Sequence, residues 1–395
     1  MSLVSPFVGL LFDGSIVGSH DLVTTPPYDV ISDDERRHYL DASPYNVIRL
    51  VLGRDDAGDG YGGTVDKYRQ AASELDTWRE RGALVPTERP AFYPYEMRFS
   101  LHGRRRAIRG MVCAVELEDP GGSIVPHERT MPGPIEDRLR LMRAVRTNLS
   151  SIHAVFRGPS EPFAGFLDDT MARGPAASTT DETGVEHRLW VSEPTPEVAR
   201  WLAPESLMIA DGHHRYSMAL RYRDEMRAEH GPGPWDRVMM FIADAALQEP
   251  PVLPFHRIQT GGSHEAAGTR VRDLAEILES VSDEKLVYGS ASLEDGLLVH
   301  RIAELAGTPP AVCALHERVL DHVDAELRFT PDPVEAEDAV RNREAVAAFF
   351  LPPTDAARIR DVIDRGERLP RKSTFFWPKP RTGLVLRPLD LDATE

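Results

Sequence analysis

The densest grouping of reactive side chains in the 395-residue sequence is Asp211-Gly212-His213-His214-Arg215. It follows an apolar run, residues 207–210, that reads as a short buried strand, and it opens a helical pattern over residues 215–226. Gly212 permits a sharp turn with close backbone approach. A helix that begins there aims unpaired N–H groups and the positive end of its dipole at whatever lies beside the turn. With an arginine fork and two imidazoles added, the turn reads as an anion site whose natural guest is a phosphate or a carboxylate. Metal ligation by His213 and His214 is the weaker alternative, because sequence neighbours seldom point at one ion and no His-x-x-x-His or Glu-x-x-His helical pair is present. A structurally satisfied histidine pair is the other. Serine hydrolase chemistry lacks its G-x-S-x-G elbow.

A second reactive cluster is His127-Glu128-Arg129-Thr130, placed after a short apolar strand (124–126) and before Pro132-Gly133-Pro134. A scaffold would hold a catalytic group at such a place; surface pairing of Glu128 with Arg129 or Arg138 is the bland alternative. His256 and Arg257 stand beside apolar residues in Val252-Leu253-Pro254-Phe255-His256-Arg257-Ile258. The C-terminal stretch 371–385 mixes cations, hydroxyls and aromatics, including Lys372 and Lys379, in an otherwise acidic chain. It reads either as a polyanion-binding or ligand-closing patch, or as a tail packed by its aromatics with lysines at the surface. Asp29, in a proline-rich turn, and Arg49, near a strand end, are second-tier candidates.

Composition narrows the partners. Lys+Arg of 46 against Asp+Glu of 63 gives a net charge of −17, which repels nucleic acid backbones and anionic membrane surfaces outside local basic patches. The two cysteines, Cys113 and Cys313, sit apart in apolar settings and suggest neither a zinc site nor a disulfide framework. No membrane span or export signal is visible, so a cytoplasmic protein is expected, without nucleic acid or membrane partners. The oligomeric state is left open.

The elements that must position these clusters follow in order. Strands are expected at 7–12 and 46–52, with a helix from Asp33, capped by Ser32 and Glu35, that stops before Ser43-Pro44. Residues 54–63 read as a Gly/Asp surface loop and 64–81 as an amphipathic helix. Strands at 91–99 and 109–118 form a hairpin with a basic tip at 100–106. A helix over 137–148 and a strand over 151–156 come next. Residues 158–184 read as a loop insertion with a short helical piece at 163–171. Beyond it come a strand at 187–191, a helix at 196–202 and a strand at 237–244 buried on both faces. Residues 264–366 alternate helices (266–278, 293–306, 334–341, 354–365) with short strands near Leu315 and at 347–351. An α+β (mixed α/β) fold follows, divided into an N-terminal α/β segment 1–105, a core 106–260, and a C-terminal α/β segment 261–395 with a closing basic tail.

The order of these motifs supports a family resemblance. Pro26-Pro27-Tyr28-Asp29-Val30-Ile31, Asn46-Val47-Ile48-Arg49-Leu50, His127-Glu128-Arg129-Thr130, Ala210 to Tyr216, Leu253-Pro254-Phe255-His256-Arg257 and Lys372-Ser373-Thr374-Phe375-Phe376-Trp377-Pro378-Lys379 together resemble domain-of-unknown-function family 1015 (DUF1015). The chain departs from that pattern at Phe255 and Trp377, where Thr and Tyr are expected. The strand-turn-helix order also resembles the ParB/sulfiredoxin fold, and the free serine kinases of that fold look most similar. The resemblance implies a ParB/sulfiredoxin-like core and transfer of a phosphoryl group between a nucleotide, ATP or ADP, and the hydroxyl of a small amino acid, L-serine first. It implies Glu128 as base, Asp211 holding Mg2+ or orienting the hydroxyl, and His213 in the catalytic group. Gly212, His214, Arg215, Arg257, Lys372 and Lys379 would bind phosphates, and His127, Thr130, Asp29, Arg49 and His256 the substrate. A phosphoserine phosphatase and a nucleotide-binding regulatory module without chemistry are the alternatives.

Overall fold

The computed structural model describes residues 3–53, 66–158, 160–203, 205–322 and 326–391; the 54–63 loop lies outside them. The architecture is mixed α/β, in two compact units. The first comprises Met1–Pro126, Thr130–Pro250 and Pro378–Glu395, and the second His127–Arg129 and Pro251–Trp377. Segment 1–105 and most of 106–260 therefore share the first unit, with the Tyr93–Leu101 and Arg104–Glu116 strands paired along their length, while 127–129 and 251–260 fall in the second. From Pro378 onward the C-terminal tail belongs to the first unit, where Arg387–Pro388 pairs with Thr147–Asn148.

The first unit is built on a mixed sheet. Its strands run Ile124–Pro126, Leu207–Asp211, Ile152–Phe156, Arg237–Asp244, Arg104–Glu116, Tyr93–Leu101, Glu186–Leu189 and Ala177–Thr180, with Val4–Ser5 also on the Arg104–Glu116 strand. The Arg237–Asp244 strand is buried along both faces as its unbroken apolar run predicts, pairing with Arg104–Glu116 on one side and Ile152–Phe156 on the other. The hairpin turns on two residues, His102 (φ 49°) and Gly103 (φ 73°), a left-handed pair that matches the twist of the flanking strands. Arg104, Arg105 and Arg106 consequently lie in the strand and not at a loop tip.

Several sequence expectations are corrected. Residues 46–52 are not a strand: Asn46 Oδ1 accepts the Ile48 N–H at 2.9 Å and starts the short helix Ile48–Val51, since a short apolar run has no periodicity to separate helix from strand. The Pro132-Gly133-Pro134 turn is the first turn of the helix Pro132–Val145, which tolerates proline because those N–H groups have no helical partner. The 158–184 insertion contributes the helix Ser160–Met171 and the edge strand Ala177–Thr180. The capping box at Ser32 and Glu35 forms as expected, opening Asp33–Ala42.

The second unit holds a six-stranded antiparallel sheet in the order Thr269–Val271, Leu297–Glu304, Val287–Glu294, Ala347–Phe350, His256–Gln259, Leu327–Thr330. Ile277, Ala336, Ala339 and Val340 from two helices join Ile258, Ala291, Ala348 and Phe350 in its core. The helix expected over 293–306 is instead a hairpin on Asp295 and Gly296, both with positive φ, the Asp-Gly signature of such turns. The 266–278 pattern splits into the Thr269–Val271 strand and the helix Leu274–Ser280, and Leu315 lies in the helix Ala311–Arg318 instead of a strand.

One ionic junction ties the helices of the first unit. Asp137 accepts Lys67 Nζ at 2.7 Å, the Tyr68 hydroxyl at 2.9 Å and Arg138 Nε at 2.8 Å, while Arg138 reaches the Val51 carbonyl at 2.7 Å. Burial alone would raise the Asp137 carboxyl, but the Arg138 charge and these donors bring it down to about 2 from 3.8. A carboxylate depressed in the folded state stabilises above its unfolded pKa and loses that contribution as pH falls through the folded value. The wild-type melting temperature should therefore drop between pH 4 and pH 2 more steeply than that of Asp137→Asn, and equal slopes by circular dichroism would refute the assignment.

Candidate functional site

Leu207–Asp211 runs parallel to Ile124–Pro126, with Ile209 opposite Pro126. Each strand is followed in sequence by a long helix, His213–His230 directly and Pro132–Val145 after an excursion through 127–131. Crevices at the carboxyl ends of neighbouring parallel strands are where α/β sheets place ligands. Neither helix has a side-chain N-cap; the positive dipole end at the His213–His230 start favours anions, whereas Pro132 and Pro134 lack N–H groups and leave the other start poorer in donors. The two starts are linked: the Met131 N–H, just before the second helix, donates to His214 Nε2 at 3.0 Å. That bond requires a lone pair on Nε2, which places the proton of a neutral His214 on Nδ1.

The charges of the turn are held by Asp211. Its Oδ2 accepts Arg215 Nη2 at 2.6 Å and its Oδ1 accepts Lys379 Nζ. Arg215 Nη1 also donates to Ser150 Oγ at 2.9 Å and the Ser151 carbonyl at 2.6 Å. The three charged side chains are only 8–12% exposed. His153 pairs opposite Asp211 across the sheet, and burial pulls its pKa down to about 3, so it is neutral at pH 7. Two cations against one carboxylate leave a net positive charge. Gly212 has φ 98°, and a Cβ there would sit 3.0 Å from Arg215 Nη2 and 3.1 Å from Cζ. Arg215 also lines a cavity of about 50 Å³, together with Tyr28, Arg138 and Met218.

This arrangement does not fit Asp211 as a Mg2+ ligand, since both carboxylate oxygens are taken by cations and a divalent ion would meet them at close range. Among the described residues, no group of three or more His, Cys, Asp or Glu side chains could hold a metal ion.

The sequence candidates divide between the two units. Asp211, Gly212, His213, His214, Arg215 and Lys379 come together in the first, with His213 buried in the first turn of its helix. Lys379 is thus no surface lysine. Also in the first unit, Arg49 donates to the Leu40 carbonyl at 2.7 Å and the Ser43 carbonyl at 3.3 Å, closing the end of Asp33–Ala42; Asp29 and Thr130 are exposed. The second unit holds His127, Glu128, His256, Arg257 and Lys372. Glu128 Oε1 accepts the Ser373 N–H (3.0 Å), the Thr374 N–H (2.9 Å) and the Thr374 hydroxyl (2.8 Å), and Oε2 accepts the Lys372 N–H (3.2 Å). Lys372 has φ 50°; the three successive amides converge on the carboxylate as an anion nest. His127 is fully buried, with Nε2 2.8 Å from Thr374 Oγ1, and His256 Nδ1 accepts the Leu351 N–H.

Ser150, Ser151 and His153 were not singled out from the sequence. The available signal was the Ser-Ser-x-His run entering the 152–156 strand, which becomes informative only when that strand lies beside Leu207–Asp211.

The model of the DUF1015 family, described as a protein of unknown function, matches residues 4–317. The chain belongs to DUF1015. No curated protein matches it. Solved structures similar to this DUF1015 chain include "Free serine kinase in complex with AMP", at 14% identity and a TM-score of 0.38, covering 69% of this chain and 92% of that one. A conserved hypothetical protein from Pyrococcus furiosus matches at 14% and 0.36, covering 71% and 97%. SbnI from Staphylococcus aureus, truncated at its C-terminus, matches at 11% and 0.39, covering 71% and 88%. At that level of likeness no residue role and no reaction is transferred. Among the described residues no helix is long and apolar enough to cross a membrane.

The turn yields a prediction of its own. Gly212→Ala imposes both a left-handed alanine and a contact with the Arg215 guanidinium, so it should destabilise the protein by about 1–3 kcal/mol and weaken inorganic phosphate binding, read by thermal denaturation with and without phosphate. An unchanged response on both counts would refute the close-approach role of this glycine.

Proposed function

We propose that this DUF1015 protein is a nucleotide-dependent phosphotransferase that acts on the hydroxyl of a small amino acid, L-serine first. The observation that carries the reading is the net positive, Asp211-pinned pair of Arg215 and Lys379 at the uncapped start of an 18-residue helix. Donors held rigidly in this way suit phosphate oxygens, because phosphoryl transfer is promoted chiefly by alignment and charge neutralisation. In the proposed step the substrate hydroxyl oxygen attacks the terminal phosphorus of ATP or ADP. The bridging P–O bond breaks, ADP or AMP leaves, and the hydroxyl proton passes to Glu128. Oε2 of Glu128 accepts one of the bonds described above and Oε1 three, so Oε2 is the oxygen assigned to the proton.

The same four bonds favour a second reading, in which Glu128 is a structural clamp on residues 372–374 and the chain binds nucleotide without chemistry. Incubation with L-serine, Mg2+ and either ATP or ADP, followed by mass spectrometry for O-phosphoserine, separates the two. The phosphotransferase reading expects product from one donor; its absence with both, while nucleotide still binds, selects the regulatory reading. Glu128→Gln should lower turnover by about 100-fold or more with nucleotide affinity retained, and wild-type turnover in that variant removes Glu128 as base. Arg215→Lys should weaken nucleotide binding by about tenfold or more, the worth of a charge-assisted bond. Undiminished affinity would place the phosphates elsewhere.

A further inference from the structure

Arg257 is fully buried in the second unit, on the strand His256–Gln259 opposite Phe329. Its Nη1 is spent on the Phe255 carbonyl at 2.5 Å. Its Nε and Nη2 are both buried and have no hydrogen-bond partner. These two nitrogens form one edge of the guanidinium, the edge whose parallel N–H bonds match a carboxylate or a phosphate in bidentate fashion. Arg143 and Arg301 use that same edge on Glu225 and Glu294.

The surroundings hold a second cation, a neutral imidazole and the Glu128 carboxylate. The Arg371 guanidinium lies 4.9 Å from the Phe329 ring centre and that of Arg257 5.5 Å from it. His316, also buried, has Nδ1 3.2 Å from Asp321 and an Nε2 without a partner. Burial, followed by the Arg257 charge, pulls its pKa down to about 4. Burial likewise brings Arg257 down to about 9, although the Glu128 charge opposes this. A buried, unpaired cation edge is costly unless an anion fills it.

We propose that the second unit carries an oxyanion site at the Nε/Nη2 edge of Arg257, for a ligand that presents two coplanar oxygens, a carboxylate or a phosphate. The site belongs to the second unit alone and does not rest on the phosphate reading of the Asp211 turn.

The test uses the full chain in an Arg215→Lys background, which weakens the turn equally in every sample. Inorganic phosphate and acetate are titrated separately, and binding is read by calorimetry and thermal shift. At least one anion should bind saturably, with affinity reduced tenfold or more when Arg257→Lys is added, since lysine keeps the charge and loses the fork. Failure of both anions to bind, or equal affinity with and without Arg257→Lys, overturns the proposal. Should the double variant fail to unfold cooperatively, arsenate-soaked wild-type crystals decide. Anomalous density within about 3 Å of both nitrogens supports the site, and water alone in that position overturns it. Phosphate bound more tightly than acetate, or the reverse, identifies the ligand class.

Discussion

The carboxylate of Asp211, shared between Arg215 and Lys379, is the contact on which the candidate site depends. Two cations confined within a few ångströms and largely out of water repel by about 4 kcal/mol at an effective dielectric constant near 20, and Asp211 offsets that repulsion while leaving one positive charge. Arg215 is further fixed by Ser150 and the Ser151 carbonyl, so its charge is part of the scaffold instead of a mobile arm. A field set in advance costs little reorganisation when an anion arrives. The left-handed Gly212 is the backbone condition for it, because a Cβ there would press on the Arg215 guanidinium at 3.0–3.1 Å.

The second unit answers the same physical problem twice, in opposite ways. At residues 372–374, three amides and a hydroxyl are satisfied by the chain's own carboxylate, Glu128. At Arg257, a fork of the kind that elsewhere in this protein grips a glutamate is left buried without one. Excess donors in a low-dielectric interior are strongly biased towards oxyanions.

Legibility in the sequence followed the range of the interactions involved. The capping box at Ser32, the helix at 196–202, the strand at 237–244 and the strand-turn-helix around Asp211 are set by neighbours a few residues apart, and all appear as expected. The hairpin of Val287–Glu294 and Leu297–Glu304, expected as a helix over 293–306, and the helix Ile48–Val51, expected as a strand over 46–52, differ because short apolar runs fit either period, and the deciding residues, Asp295-Gly296 and Asn46, act through turn and cap geometry.

By itself the sequence determined that a glycine turn joins an apolar strand to a helix at 211–215, since a glycine between an apolar run and a helical pattern encodes that locally. It also determined family membership, through motifs in a fixed order. Only the tertiary structure decided what those side chains do. Lys379 reaches Asp211 from 168 residues away, which turns an expected metal ligand into a counter-charge. Glu128 meets amides 244–246 residues distant, and the Nε and Nη2 of Arg257, a residue the sequence showed only beside apolar neighbours, are buried without a hydrogen-bond partner. Long-range pairing of charge is invisible to periodicity, because it depends on which strand ends the sheet brings side by side.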